Sequence, residues 1–230
     1  MPKLPKSTLA QLEKLLVREI PAAVQSANLT EPVYCARIWY NGTESDEDAV
    51  PWLMLVKESA RRKFIEKQGE EHAPYYIWGA DEVSCPAQAF QVHLSHERLQ
   101  DLYSTWYQYL SDVDDDDELQ PFREMIQQVS RTLNELDWKS IAPVTDDFVV
   151  APADGSHTFC DDLGDVLASV TPRQLELLQS RKLIPSEEME FDDDDDDEEI
   201  GGKSPFARDD DEFSFEDDDD EEDDWDNEED

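Results

Sequence analysis

Val33-Tyr34-Cys35-Ala36-Arg37-Ile38-Trp39-Tyr40 opens after Pro32 and closes on Asn41-Gly42. It is eight residues of mostly β-branched, aromatic or small side chains between two chain-turning signals, which is the composition and length of a strand. Val50 to Val56 follows within ten residues as a nearly continuous apolar run. A strand of that kind is expected to be buried on both faces, because a half-exposed strand alternates polar and apolar residues. The connection between them carries an acidic stretch, Glu44 to Asp48, and is longer than a tight hairpin.

Working outward, the flanking segments carry helical spacing. Leu9, Leu12, Leu16 and Ile20 recur on one face from Ser7 to about Asn28, with Pro21 expected to kink or divide that helix. Glu58 to Gln68 reads as a polar helix with Ala60, Phe64 and Ile65 inward, stopped by Gly69. Tyr75-Tyr76-Ile77-Trp78, after Pro74, reads as a short strand or an aromatic loop. Ser95 caps a helix that places Leu99, Leu102, Trp106 and Tyr109 on one face. A second helix begins near Pro121 with Phe122, Ile126, Val129, Leu133 and Leu136 at helical spacing. Phe148-Val149-Val150-Ala151 is a further strand, Cys160 to Val170 a short helix, and Thr171-Pro172 starts a last helix with an N-cap and proline in the first turn. Three or four strands with about six helices, many of them consecutive, give an α+β fold in a single domain, residues 1–186.

From Glu187 to Asp230 there are 28 acids against two bases, a net of −26 over 44 residues, within a chain total of −40. Residues 1–186 therefore hold 31 acids and 17 bases, a net of −14. Six successive aspartates and later nine successive acids cannot bury enough apolar surface to offset ordering entropy, so residues 187–230 are expected to be a disordered polyacidic tail. That balance disfavours direct binding to nucleic-acid phosphate or to an anionic membrane, both of which need a basic face. No apolar run approaches the roughly 18 residues of a membrane span, and the first residues have no signal-peptide pattern. Three widely spaced cysteines, Cys35, Cys85 and Cys160, read as reduced thiols in a cytoplasmic protein.

The chemistry-bearing patterns are sparse. Asp112 to Asp116 places oxygen ligands alternately, as calcium loops do. The register fails, however, since Asp117 falls where glycine is needed and Arg123 where a bidentate glutamate is needed. His93 and His96 form HxxH, and His157 with Cys160 forms HxxC, but neither set has the third ligand zinc requires. Phosphate-cradling glycine loops are missing, and so are the GxSxG and HExxH patterns, so no catalytic residue, metal or cofactor is assigned. Tyr75, Tyr76 and Trp78 are the candidate exposed aromatic surface. In the tail, Phe191, Phe206, Phe213, Phe215 and Trp225 stand among acids, an arrangement suited to anchoring on a basic, partly apolar protein.

The stretches Asp147-Phe-Val-Val-Ala-Pro-Ala-Asp154, Asp161-Asp-Leu-Gly-Asp-Val-Leu-Ala-Ser-Val170 and Thr171-Pro-Arg-Gln-Leu to Ile184 resemble the closing module of a largely bacterial family of domains of unknown function. The resemblance spans roughly residues 7–185, and it departs where Lys182-Leu183-Ile184 replaces the family's Gly-Trp-Leu. It implies no activity and transfers no catalytic residue. Similar small bacterial domains are discussed as toxin-immunity or interaction modules. The expected function is a non-enzymatic intracellular interaction protein whose tail binds a cationic protein partner, in an immunity-like, DNA-mimic-like or basic-protein-chaperone manner. The alternative is an enzyme or small-ligand binder using polar groups near Tyr75–Cys85 and His93–His96, with the tail as solubiliser.

Overall fold

The computed structural model describes residues 6–40, 51–79, 87–110, 120–155 and 162–185. All of them belong to one compact unit, residues 1–189. The acidic tail with its five aromatic residues, residues 41–50 and 111–119, Cys85, His157 and Cys160 lie outside the described residues.

The chain is α+β. Its sheet holds β1 (Val33–Tyr40), β2 (Trp52–Lys57), β3 (Ala89–His93) and β4 (Val144–Asp154) in the order β3-β2-β1-β4. β3 and β1 each run antiparallel to β2, while β4 runs parallel to β1. Among the described residues there are six helices: α1 (Lys6–Ser26), α2 (Glu58–Trp78), α3 (Glu97–Leu110), α4 (Gln120–Asn134), α5 (Asp162–Ser169) and α6 (Pro172–Ser180). A 3₁₀ turn at Trp138–Ser140 precedes β4.

The two central strands carry apolar residues in both alternating positions because helices cover both faces. On the first face α1, α3 and α4 pack Leu12, Leu16, Ile20, Leu99, Trp106, Phe122, Ile126 and Val129 against Ala36, Ile38, Leu53, Leu55 and Val150. On the second, α2, α5 and α6 bring Ile77, Trp78, Val166 and Leu178 onto Cys35, Met54, Val56, Val149 and Ala151. A register shift between Val33 and Cys35 turns both Tyr34 and Cys35 toward this second face.

Four elements differ from the sequence reading. The first helix continues through Pro21 to Ser26, since Val24 prolongs the buried stripe begun by Leu12 and burial outweighs one lost hydrogen bond. Gly69 does interrupt α2, at φ 77° and ψ 163°, but the helix then resumes and takes in Tyr75–Trp78, which are neither strand nor loop. The end of that helix is held by two side-chain bonds. Tyr34 Oη donates to the Ile77 carbonyl, and Trp78 Nε1 donates to the Leu183 carbonyl. A strand not anticipated, β3, forms just before α3. Leu136 falls beyond α4 and is exposed.

Buried charges act as ties between layers. Asp147, buried at the start of β4, accepts from Arg61 of α2 at 3.0 Å and from Arg181, just past α6, at 2.8 Å. Burial alone pushes its carboxyl up, but the two guanidinium groups outweigh burial and hold it below the usual carboxylate range. Asp165 of α5 accepts from Arg123 at 2.9 Å and Gln127 at 2.8 Å, both on α4. Arg37, buried in β1, pairs with Asp162 through Nη2 and has no partner at Nε or Nη1 among the described residues.

Candidate functional site

A sheet four strands wide has two edges, and each edge strand presents a row of backbone N–H and C=O groups to whatever lies beside it. At β4 this row is occupied from within the chain. The buried Asn134 side chain, at the end of α4, accepts from Val150 N–H at 2.8 Å and donates to the Val150 carbonyl at 2.8 Å, reproducing the two bonds a neighbouring strand would make. Its amide also donates to the Ser169 carbonyl at 2.8 Å. Gln174 of α6 donates to the Phe148 carbonyl at 2.8 Å and to Asn134 Oδ1 at 3.2 Å. Pro152, next in the same alternation, has no N–H to present. That edge is closed.

The β3 edge is built differently. Lys57 N–H donates to the Gln88 carbonyl, and with Trp52 opposite His93 the register makes 57/88, 55/90 and 53/92 the hydrogen-bonded pairs. Gln91 and His93, both exposed, therefore turn their N–H and C=O groups outward, and no described residue bonds to them; Ala89 shares the alternation but is buried. The strand Ala-Phe-Gln-Val-His carries no lysine, glutamate or proline and no bulge, the usual devices that blunt an edge.

Along this edge runs a groove of about 690 Å³. One wall is the chain from Phe90 to His96; the other is the end of α1 with the residues after it, up to Leu29. Ala22, Ala23, Ser26 and Ala27 are too small to fill the space that the strand leaves. Phe90 and Val92 lie half-buried on the α1 side of the sheet, while Gln91 and His93 are exposed on the other. His93 there continues an aromatic row across three strands, with Trp52 at 6.2 Å and Trp39 at 5.4 Å from Trp52.

At the far end of the groove His96 Nε2 lies 3.0 Å from Arg18 Nη2 and 3.9 Å from Glu19. Because guanidinium has only donors, that nitrogen is the acceptor and the imidazole proton sits on Nδ1, which is buried without a partner. His93 and His96 are thus brought to one groove, apart from Tyr75–Trp78. Among the described residues no three histidine, cysteine or acidic side chains converge as metal ligands, and no helix is long and apolar enough to cross a membrane.

The expected aromatic surface is reduced to part of itself. Tyr75 is 37 % exposed, and Tyr76 is half-buried and stacked on Phe64 at 6.5 Å. Trp78 is 1 % exposed and belongs to the core, edge-on to Tyr34 at 5.7 Å. The helical conformation is the reason: side chains three and four apart share a face, so Ile77 and Trp78 turn inward together with Ala73 and Pro74. Phe191, Phe206, Phe213, Phe215 and Trp225 lie outside the described residues. The β3 edge escaped the sequence reading, and its one signal was the short alternation Phe90-Gln91-Val92-His93.

No family model matches the chain, and neither does any curated protein or solved structure.

Proposed function

We propose that the chain is a non-enzymatic intracellular interaction protein that captures a cationic protein. The carrying observation is the net charge of −26 over residues 187–230, punctuated by Phe191, Phe206, Phe213, Phe215 and Trp225. Acids at this density neutralise lysine and arginine on a partner, and the aromatic residues supply anchoring area that a pure solubiliser does not need. The domain supports the reading by how it uses its own charges. Asp147, Asp165, Arg61 and Arg123 are committed to ties between layers, and Cys35 is a buried thiol that burial pushes up to about 12. Immunity-like, DNA-mimic-like and basic-protein-chaperone versions share the same physics, and the sequence does not separate them.

The test compares the full chain with one ending at Ser186, which keeps every contact described above. Capture of a basic protein by the full chain, lost on truncation and lost in about 1 M salt where the Debye length is near 3 Å, supports the proposal. Capture that survives both truncation and high salt overturns it.

A further inference from the structure

We infer that the β3 edge, with the groove between it and α1, is a strand-addition site for an extended basic segment of the partner. This rests on the basic-partner reading above and gives it a surface on the domain.

Three observations carry it. First, the outward N–H and C=O groups of the exposed Gln91 and His93 form a ready template for one more antiparallel or parallel strand, and main-chain pairing of this kind supplies affinity without requiring a particular sequence. Second, the chain does close an edge where an edge is not to be used. Asn134, Gln174 and Pro152 finish β4, and among the described residues nothing comparable bonds to Gln91 or His93 of β3. Third, the space is there. The small residues at the end of α1 do not fill the space beside the strand and leave about 690 Å³ there.

The groove also specifies its occupant. Successive residues of an added strand face opposite sides of the sheet. On the α1 side they meet Ala23, Ala27, Leu29 and Phe90, which suits small apolar side chains. On the other side they lie beside exposed Gln91 and His93 and face solvent. There the charge of the chain decides the sign. A second copy would bring −40 against −40, whereas a lysine- or arginine-bearing segment is attracted. The occupant is therefore an extended segment alternating small apolar and basic residues, paired along the Phe90–His93 part of β3.

The test uses the full chain and two end-blocked peptides of eight alternating valines and lysines. One is unmodified. In the other, alternate backbone amides are N-methylated, which keeps the charge but removes the donors on one edge. Binding is followed by anisotropy at about 20 and 150 mM salt, and by amide hydrogen exchange. The unmodified peptide should bind at least tenfold more tightly than its methylated twin and should protect the amides of Gln91 and His93. In Gln91→Pro, which removes one outward N–H and no bond to β2, the unmodified peptide should fall to the affinity of the twin. Equal binding of both peptides without protection of β3 overturns the strand-addition site and leaves the basic-partner reading standing. Failure of both peptides to bind even at 20 mM salt overturns the basic-partner reading itself. Should Gln91→Pro lower the melting temperature, the peptide pair on the unaltered chain decides the matter alone.

Discussion

Replacing Asn134 by alanine removes the side chain that closes the β4 edge. Four hydrogen bonds go: one from Val150 N–H, one to the Val150 carbonyl, one to the Ser169 carbonyl and one from Gln174. Gln174 keeps its bond to the Phe148 carbonyl, so it is not orphaned. The Val150 N–H, the Val150 carbonyl and the Ser169 carbonyl are left without these partners in a place where Asn134 itself is buried. Each buried backbone group left unsatisfied costs about 1–3 kcal/mol. Alanine also opens room for a water, which offsets part of that, so the expected loss is about 3–5 kcal/mol. Urea unfolding followed by tryptophan fluorescence measures it, with the slope against denaturant unchanged if the native fold is retained. A loss below about 1 kcal/mol would refute the argument, since it would mean that the edge groups of β4 find partners without Asn134.

Asp147→Ala should cost about 2–3 kcal/mol at neutral pH, because the buried Arg61 loses one of its two carboxylate partners and keeps Glu58 at 2.6 Å, while Arg181 loses its buried acceptor; equal stability of the two proteins at pH 7 would contradict this. The same pair fixes a pH dependence. Asp147 has a lowered pKa when folded, so its contribution is present above the unfolded value near 3.9 and disappears as pH falls through the lower folded value, and the gap between wild type and variant should close in acid unfolding curves below about pH 4. Cys35 should resist alkylation in the native protein at pH 8 and react as the chain unfolds in urea, as read by peptide mapping; labelling at the rate of a free thiol would contradict its burial. Gly69→Ala should cost about 1–3 kcal/mol although nothing lies within 4 Å of the added carbon, because φ 77° with ψ 163° is a conformation for glycine alone; an unchanged melting temperature would refute that.

How much of this was legible in the sequence depends on how local the signal was. β1, β2 and β4 are visible because Val33–Tyr40, Val50–Val56 and Phe148–Ala151 are long, apolar and bounded by turn residues. The capping box of α6, Thr171 with Gln174, is equally local. Tyr75–Trp78 misled because β-forming aromatics after a proline favour a strand by propensity, while the tertiary bonds from Tyr34 to Ile77 and from Trp78 to Leu183 decide for helix. Asn134 gives no sign of its role, since a polar residue at the end of an amphipathic helix reads as a terminus. Its function exists only once Val150 is opposite it, sixteen residues on. The candidate site was half legible: His93 and His96 stood out as a pair, but that β3 is an edge, and that its edge is open, follows from strand order, which no local pattern contains.

Charge and sheet topology bear on one another. An unblunted edge strand is a hazard, because identical edges pair and aggregate. Natural chains usually answer by placing a lysine, a proline or a bulge on the strand itself, and β3 has none of these. A chain carrying −40 has another answer available: two copies repel before their edges meet, over a distance of about 8 Å at physiological salt. That defence is selective by sign. On the proposed basic-partner reading it turns away another copy of the same chain and admits a cationic strand, so the acidity that protects an open edge would also choose its occupant. A lysine on β3 would have removed the hazard as well, but it would have set the edge against a basic partner. The five residues of β3 carry no lysine or arginine of their own, although Lys57 of β2 lies over the Phe90 ring, and on the proposed reading this and the excess of negative charge elsewhere in the chain are two parts of one arrangement.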